Sequence, residues 1–521
     1  MKSIAQKRIY FFLILIICYF NYMGQSVAFS YVRSQFGVSS EDALWLLRGF
    51  HAAAIITSIV GIVIIKWVGN KWLFICSAFI FLIATIISIY TNSFSILLCA
   101  RITAGFANGF MQAVAGLLFI ATYQGKEKPL GSIISLAATI VGICLSLAIN
   151  SSFLEDFGWR FTYVLSVPIM STVFLSAFFF IPVREQKESI EVDWLSIFPF
   201  AILIFSMLYT VMYWDAFGGL SSIYITSSIS IFIISATILF IRGFTHTNPI
   251  FDTTLFKYPS FIAAFFISFL SGVVFVFNFN MIAKLLGGIL QMSFSDILVF
   301  ISLLALLLFV SILLGVILLA KKVNAFWMMI AGLLCIAFAC NQFSQLNTQF
   351  YINNIITPSL VCMLGAAFIA LSVIIVAMKS VPPEKIAKVG NFRSVLFLLG
   401  IAIAAVDLTR IIDYRRVANF NAMIRYTNAG DSVFSQRLSG FKAFYLSKGY
   451  DPDSAYQAAI KAMTGTFQLQ AFFKGMMQTF HIASIICIAF ACLIFLLWLI
   501  NNLQWIANKF QIQHSKMHNH V

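Results

Sequence analysis

The amino-acid sequence predicts an all-α membrane protein with fourteen transmembrane helices. Of its 521 residues, 61% are hydrophobic and only 10% are charged, whereas charged residues make up about 25% of a typical soluble domain. A bilayer core about 30 Å thick requires roughly 20 apolar residues per helix. Apolar runs of that length follow one another along nearly the whole chain, separated by charges or turn residues. Each run is therefore predicted to be one span.

The first span begins close to the N-terminus. "MKSIAQKRIYFFLILIICYF" has the basic start and apolar middle of a signal peptide, but it lacks a cleavage site of small residues. We interpret it as a retained helix. Eight runs precede the middle of the chain, at residues 10–31, 43–65, 72–91, 94–122, 130–152, 161–182, 194–214 and 222–241. Six more follow, at residues 259–284, 296–319, 325–343, 355–378, 392–410 and 479–503.

A weak internal sequence repeat predicts how these spans are grouped. "GIVIIKWVGNKWLF" at 61–74 and "GVILLAKKVNAFWMM" at 315–329 each join an apolar helix end to two basic residues, an Asn and a Trp. Repeated halves of this kind are typical of proteins that open a central site alternately to each side of the membrane. The prediction is a six-helix bundle at 1–182, two inserted helices at 183–258 and a second six-helix bundle at 259–521.

Basic residues predict the orientation of the chain. Lys and Arg in short loops accumulate on the cytoplasmic side of a membrane. The segments on the side of the N-terminus contain nineteen such residues, and the short loops on the other side contain three, namely Arg33, Arg160 and Lys284. Both termini are therefore predicted to be cytoplasmic.

One predicted external segment is long, at residues 411–478. Asp451 followed by Pro452 forms a typical N-cap and first helical residue, and "SAYQAAIKAMTGTFQLQAFFKG" continues with helical spacing. We expect two short helices that pack over the outer mouth of the protein.

The composition argues against several other classes of protein. The net charge of +15 is distributed over short pieces between apolar runs, without the basic, aromatic face that nucleic-acid binding requires. All nine Cys lie inside apolar runs and none has CxxC spacing. The six His are scattered and form no HExxH motif. We predict no nucleic-acid partner, no cofactor, no metal site and no enzyme activity, and we keep a membrane-embedded enzyme or a channel as a distant alternative.

Short motifs occur in a consistent order along the chain. "IIKWVGNKW" follows the second span, Arg101 and Gly105 form an Arg-xxx-Gly pair in the fourth, and "GWRFTYVLSVPI" opens the sixth. "DWLSI", "NPIFDTTLFK" and "VPPEKIAKVGNFRSVLFLLGIAIA" follow. Together these motifs resemble the major facilitator superfamily, specifically its fourteen-helix drug:proton antiporter branch (EmrB/QacA-like). The resemblance implies the major facilitator fold, with two six-helix bundles and two inserted helices.

The chain also departs from this family's pattern. Asn21 stands where the family usually has an Asp, and Lys66 stands where the basic loop usually has one. In the fifth span, "SLAINS" replaces the antiporter motif of Gly and Pro. These differences remove the usual carboxylate from the predicted central cavity.

A polar stripe in the fourth span is the main candidate for that cavity. Arg101, Gly105, Asn108 and Gln112 follow at spacings of four, three and four, which places them on one helix face. Ionisable residues inside a membrane are costly and typical of functional sites. We predict that this face lines the cavity, with a snorkelling or helix-joining Arg101 as the alternative.

Three more polar residues are candidates for the cavity. Asn21 and Gln25 lie one helical turn apart in the first span, and Asn278 lies in the ninth. Hydrogen bonding between helices is the alternative explanation for them.

Transport also requires residues that couple and gate it. The proton-coupling candidates are His51 and Asp407, because no carboxylate falls in the middle of a span. Lys66, Gly69 and Lys71 form the candidate gating loop, although membrane topology alone also accounts for the lysines.

The resemblance implies a secondary active transporter in a bacterial inner membrane. The leading hypothesis is proton-coupled efflux of small amphipathic compounds by alternating access. A cavity with Arg101 and without an acid favours the alternative, transport of anionic or neutral metabolites or siderophores. The expected partners are a small-molecule substrate, membrane lipid and a periplasmic adaptor protein, as some relatives use.

Overall fold

The computed structural model describes residues 4–24, 29–123, 127–183, 193–246, 249, 252–292, 294–347, 349–379, 381, 386–425 and 432–518. All regular secondary structure in this part of the chain is helical, which confirms the predicted fold class. The α-helices are α1 (Ile4–Met23), α2 (Phe29–Phe36), α3 (Ser40–Val68), α4 (Asn70–Tyr90), α5 (Phe94–Ala121), α6 (Lys128–Phe157), α7 (Phe161–Phe180), α8 (Trp194–Tyr213), α9 (Ile223–Thr245), α10 (Pro259–Gly288), α11 (Phe294–Ala320), α12 (Ala325–Ser344), α13 (Ile352–Lys379), α14 (Ile386–Arg425), α15 (Ser432–Ser447) and α16 (Pro452–His518). Short 3₁₀ helices lie at Gly219–Ser221 and Thr253–Lys257.

Thirteen of the predicted spans each correspond to one helix, with at most two residues beyond its ends. Among the described residues, twelve helices are long and apolar enough to cross a membrane. The predicted spans 259–284 and 392–410 lie within α10 and α14. The predicted span 10–31 is wrong at its end, because α1 stops at Met23 and the following helix α2 is separate. The sequence of α2, "FSYVRSQF", is half polar and does not continue the apolar surface.

Glycines bring α3 and α5 unusually close together. A Cβ added at Gly105 would lie 2.4 Å from Phe50 O, and one added at Gly109 would lie 2.3 Å from Ala54 O. Small residues let helix backbones approach in this way in membranes, where van der Waals contact drives packing. Gly105 therefore serves the helix–helix interface.

The predicted inserted helices α8 and α9 pack against each other, and α8 also packs against α3. Tyr213 donates a hydrogen bond to Asp42 Oδ1 at 2.7 Å and accepts one from Trp45 Nε1 at 3.1 Å. Near the opposite end of α3, the rings of Trp67 and Trp194 are 6.0 Å apart. α8 is thus attached to α3 at both ends.

A buried ion pair joins the ends of α8 and α9. Asp193, which precedes α8, is buried and accepts hydrogen bonds from Ser196 Oγ and from Arg242 Nε, the latter at 2.9 Å. Burial by itself raises the pKa of the Asp193 carboxyl, but the hydrogen bonds from Arg242 and Ser196 outweigh burial and hold the pKa below its usual value. A depressed pKa stabilises the fold above the pKa of the unfolded chain, and this stabilisation is lost as the pH falls through the folded pKa.

We expect Asp193→Asn to lower the free energy of unfolding by about 1.5–3 kcal/mol at pH 7, the range for hydrogen bonds to charged groups. The difference from the wild type should shrink as the pH falls below about 4, the pKa of an aspartate in the unfolded chain, and through the lower pKa of the folded carboxyl. Thermal unfolding of the purified protein in detergent at several pH values measures both effects. Asp42→Asn is the control at the exposed bond to Tyr213, and an equal loss in both variants would contradict the prediction.

The chain divides into two compact units. The first contains Met1–Asn280, Met292–Leu318 and Ala370–Asp407, and the second contains Met281–Gln291, Leu319–Ile369 and Leu408–Val521. In the second unit α12 packs against α16, where Ser484 donates a hydrogen bond to Ala337 O at 2.8 Å. Most of the boundaries between the two units fall inside helices, and they do not coincide with the predicted bundle boundaries. The bundle boundaries at 1–182, 183–258 and 259–521 remain predictions.

The segment 411–478 is more continuous than predicted. α14 extends to Arg425, α15 is a separate short helix, and α16 runs without a break from Pro452 into the last predicted span. Asp451 Oδ1 caps α16 by accepting from the backbone N–H groups of Asp453 and Ser454, as predicted. The expectation of two separate short helices is wrong for the second helix, because no proline follows Pro452 to end it.

Candidate functional site

Arg101 is buried inside the first unit. It is the eighth residue of α5, about 10 Å along the helix axis, and only 4% of it is exposed. Its Cζ lies 4.2 Å from the ring centroid of Phe50 on α3 and 5.7 Å from that of Tyr163 on α7. Aromatic faces attract a cation in this position. Among the described groups, neither Nε nor Nη2 has a hydrogen-bond partner.

The rest of the α5 stripe faces several neighbouring helices. Asn108 is fully buried, and its Nδ2 donates to Cys18 O on α1 at 3.2 Å. Gln112 is also buried, and both of its amide atoms lack a partner among the described groups. Gly105 instead contacts the backbone of Phe50. The four residues share one face of α5, but Gly105 contributes close packing to it.

Two asparagines provide further buried amides. Asn21 Nδ2 contacts Met170 Sδ at 3.2 Å, so α1 meets α7 there. Asn150 Nδ2 donates to Ser146 O at 2.8 Å within α6. The Oδ1 atom of each asparagine is buried and has no partner among the described groups. Both amides therefore retain an unused acceptor.

His51 connects α3 to the end of α1. Its Nε2 lies 3.1 Å from Tyr22 O, and because a carbonyl only accepts, this nitrogen carries the proton. Tyr22 is in the last turn of α1, where backbone carbonyls lack partners within the helix. The two rings stack with centroids 3.9 Å apart. His51 thus caps α1, while its Nδ1 and the Tyr22 hydroxyl have no partner among the described groups.

Several residues of α1, α3, α5, α6 and α7 have a buried side-chain polar atom without a hydrogen-bond partner among the described groups, and eight of them are considered together. We call them the polar cluster: Asn21, Tyr22, His51, Arg101, Asn108, Gln112, Asn150 and Tyr163. A buried polar atom that stays unsatisfied costs about 1–3 kcal/mol, so such atoms normally bond to water or to a ligand. The polar cluster therefore has the hydrogen-bonding capacity of a small-molecule site.

The charge of this region is positive. Arg101 and Arg48 are both buried, and no acidic side chain in the described part of the chain pairs with Arg101. Guanidinium groups form strong, directional hydrogen bonds with carboxylates and phosphates. Chemically, this arrangement suits an anionic or polar neutral molecule better than a cation.

The candidate gating loop is tight and attached to α7. Gly69 alone separates α3 from α4, with φ of 92°, a conformation that a residue with a side chain rarely adopts. Lys71 donates to Phe178 O at 2.7 Å, in the last turn of α7. Lys66 is half-buried in the last turn of α3.

Three predicted site residues lie outside the described part of the structure. Gln25 falls in the segment between α1 and α2 that is not described. Asn278 and Asp407 belong to α10 and α14, and their side chains are not described. Among the residues that are described, no group of three or more His, Cys, Asp or Glu could hold a metal ion.

The aromatic partners of Arg101 could not be predicted from the sequence. Phe50 and Tyr163 lie on two other helices, and aromatic residues are too common in this chain to stand out. Tyr163 does have a local signal, since it lies in "GWRFTY" beside Arg160, whose side chain donates to Ile89 O and Thr91 O at the end of α4. Asn150 lies in "SLAINS", the segment that replaces the family's motif of Gly and Pro in the fifth predicted span.

Comparison with curated proteins identifies transporters. The chain is 25% identical over 251 residues to the uncharacterized MFS-type transporter YhcA of Bacillus subtilis, which covers 47% of this chain and 46% of that protein. It is 20% identical over 254 residues to the drug efflux pump JefA of Mycobacterium tuberculosis, 47% of this chain and 48% of that protein. It is 18% identical over 464 residues to the colistin resistance protein EmrB of Acinetobacter baumannii, and this match covers 86% of this chain and 87% of that protein. The match thus spans about half the length of the first two relatives.

Solved structures share the fold. A bacterial homologue of the human lysosomal transporter Spinster, inward-facing and unoccupied, superposes with a TM-score of 0.58 at 16% identity, covering 95% of this chain and 97% of that one. A POT family transporter in complex with a thioalcohol-conjugated peptide gives a TM-score of 0.56 at 14% identity, covering 94% and 96%. At these identities the similarity concerns the fold alone.

The family assignment follows from most of the chain. The model of the Major Facilitator Superfamily matches residues 11–405, a range that includes the polar cluster, eleven complete predicted spans and most of two more. Efflux pumps occur among the relatives, and transporters among the structural neighbours. The chain belongs to the Major Facilitator Superfamily and is a multi-pass membrane protein.

Proposed function

We propose that the chain exports small amphipathic compounds that carry an anionic or polar neutral group, and that this group binds at Arg101. The buried guanidinium without a partner among the described groups carries this proposal. An arginine at the centre of a bilayer costs about 2.5–3.5 kcal/mol on insertion scales. A substrate carboxylate, sulfonate or phosphate that forms charge-assisted hydrogen bonds with Nε and Nη2 offsets part of that cost.

The aromatic surroundings of Arg101 favour an amphipathic substrate. Phe50 and Tyr163 supply apolar ring surface, while Asn108 and Gln112 supply amide groups on the same face of α5. Sites for small molecules typically combine apolar walls with a few polar groups that fix orientation. A lipophilic cation would meet a like charge without a counterion, so cationic drugs are the disfavoured class.

Export is the direction that the named relatives suggest. The relatives include a drug efflux pump and a colistin resistance protein, and the fourteen predicted spans fit the fourteen-helix antiporter branch. Uptake or release of anionic metabolites or siderophores is the second candidate function, supported by the same positive charge at Arg101. The excess of Lys and Arg on one side supports a bacterial inner membrane protein with both termini cytoplasmic.

Alternating access supplies the proposed mechanism. The loop of Lys66, Gly69 and Lys71 is the proposed gate, because Lys71 bonds α7 across it and would release that bond if α3 and α4 moved. Proton coupling requires a group that titrates between two accessible states. His51 is engaged by its bond to Tyr22 O, so Asp407 is the proton-coupling residue that we favour. A periplasmic adaptor protein would bind the predicted external segment at residues 411–478.

Transport by purified protein in proteoliposomes tests the proposal. With an imposed pH gradient, the anionic dye carboxyfluorescein should accumulate at least several-fold above protein-free liposomes, and an uncoupler should abolish the effect. The cation ethidium, of similar size, should not accumulate. Accumulation of ethidium without carboxyfluorescein would refute the substrate class.

The same assay distinguishes loss of substrate binding from loss of proton coupling. Asp407→Asn should abolish accumulation driven by the pH gradient but preserve exchange of dye between the two sides. His51→Gln keeps an N–H donor for Tyr22 O and should preserve both. Loss of gradient-driven accumulation in His51→Gln alone would transfer the coupling role to His51.

A further inference from the structure

A second basic site lies in the second unit, apart from the polar cluster. A cavity of about 380 Å³ opens between the end of α12 and the facing parts of α14 and α16. Its polar lining consists of Ser344, Arg415, Lys474, Gln478 and His481. Cavities that hold small ligands typically measure about 300–1,000 Å³. No motif or spacing in the sequence predicted these five residues to form a site.

The local sequence holds these side chains side by side. Lys474, Gln478 and His481 follow at spacings of four and three, which places them on one face of α16. Gly475 lets α14 approach, because a Cβ there would lie 3.2 Å from Arg415 Cβ. Asn419 Nδ2 on α14 donates to Gln478 Oε1 at 3.1 Å and fixes the register of the two helices.

The described residues that line the cavity carry positive charge without an acidic partner among them. Two cationic residues and one histidine line the cavity, and none of its lining residues in the described part of the chain is acidic. Asp413 is the described acidic residue nearest to Arg415 along α14. Its Oδ1 forms an ion pair with Arg416 Nη2 at 3.3 Å, and its negative charge also attracts the ammonium group of Lys284. Clustered basic groups in a concave surface focus a positive potential and attract anions.

The remaining lining is apolar. Met477 and Ile482 complete the wall, and the cavity lies where the polar extension of α16 meets its last predicted span, 479–503. A ligand here has its charged group beside Arg415 and Lys474 and its apolar part beside Met477 and Ile482. Headgroup-level sites of membrane proteins combine these two features.

We propose that this cavity binds the phosphate group of an anionic amphiphile. The phosphate accepts hydrogen bonds from the Arg415 guanidinium, the Lys474 ammonium and the Gln478 amide, while an attached acyl chain follows Met477 and Ile482. The source is either an anionic phospholipid of the surrounding membrane or a soluble alkyl phosphate. The site is independent of Arg101, so this inference goes beyond the proposed function.

Ligand binding to the full-length purified protein in a neutral detergent tests the proposal. Three probes are compared: dioleoylphosphatidylglycerol, zwitterionic dioleoylphosphatidylcholine, and octyl phosphate. The dissociation constant of the phosphatidylglycerol should rise at least about tenfold in Arg415→Gln/Lys474→Gln, since each charge-assisted hydrogen bond is worth about a factor of ten or more. Dioleoylphosphatidylcholine should bind the wild type much more weakly.

Matched variants keep the test independent of folding and of net charge. Arg437→Gln/Lys461→Gln removes the same charge from exposed positions of α15 and α16 and should leave binding unchanged. Arg415→Lys/Lys474→Arg keeps both charges and should retain most of the affinity. Octyl phosphate binding that is lost in the double glutamine variant supports a soluble source, and saturable binding of phosphatidylglycerol alone supports a lipid. Equal affinity of phosphatidylglycerol for the two double glutamine variants would overturn the proposal.

Discussion

Arg101→Gln should abolish transport of an anionic substrate while the protein stays folded. Glutamine keeps hydrogen-bonding capacity at this position but removes the charge that would pair with the substrate. The buried guanidinium has no counterion among the described residues, so its removal leaves no buried carboxylate unpaired there. The loss of attraction to the rings of Phe50 and Tyr163 costs about 1–2 kcal/mol, which is offset by the removal of a desolvated charge.

Two measurements together check this prediction. Carboxyfluorescein accumulation in proteoliposomes should fall at least tenfold, and thermal unfolding in detergent should change by only a few degrees. Arg101→Lys should retain partial activity, because a lysine keeps the charge but loses the planar fork of donors.

A matched control separates Arg101 from charge in general. Arg33→Gln removes one arginine from an exposed position on α2 and should leave transport intact. Full activity of Arg101→Gln would exclude Arg101 from the substrate site, and a failure of the variant to fold would identify it as a structural residue.

Gly109→Ala should strongly destabilise the protein, because α3 leaves no room for a methyl group at this position of α5. The added Cβ would lie 2.0 Å from Thr57 Oγ1, 2.3 Å from Ala54 O and 2.9 Å from Ala54 Cα. Thr57 can rotate, but the backbone of Ala54 cannot move without separating α3 from α5. Overpacking of this kind typically costs about 1–3 kcal/mol, and we expect the upper end because two backbone atoms are involved.

The same helix offers an internal control. Gly116 on α5 has no described atom within 4 Å of an added Cβ, so Gly116→Ala should be neutral or stabilise the helix by up to about 1 kcal/mol through its better helix propensity. Both variants add the same methyl group to α5, but the melting temperature in detergent should fall in Gly109→Ala and should stay unchanged or rise in Gly116→Ala. A shift of equal size and sign in both would show that close approach of α3 and α5 does not limit stability.

Much of the architecture was predictable because the bilayer imposes strong rules on a sequence. Only helices of about twenty apolar residues satisfy their backbone groups inside a membrane without partners from elsewhere in the chain, so the span positions followed from composition. The error at 10–31 arose because the first residues of α2, Phe29 to Tyr31, were counted as the end of the long apolar run before them. The helix beginning at Pro452 was predicted to be short because its sequence turns from polar to apolar, although a change of polarity does not end a helix.

The site was predictable only in part. The spacing of Arg101, Asn108 and Gln112 identified a buried polar face because helical geometry relates residues three and four apart. The neighbours of that face were not predictable, since Phe50, Tyr163 and Asn150 lie on other helices and have no distinctive spacing.

By itself, the sequence determined the class of this protein: an all-helical membrane protein with an arginine placed deep in one apolar run. Those features depend on local composition and on the period of the helix, which one chain segment carries alone. Only the tertiary structure decided that Arg101 lies between two aromatic rings, that Gly105 packs against α3 and that His51 caps α1. The reason is physical: contacts between helices depend on how their surfaces fit together, and many different pairings satisfy the same apolar pattern.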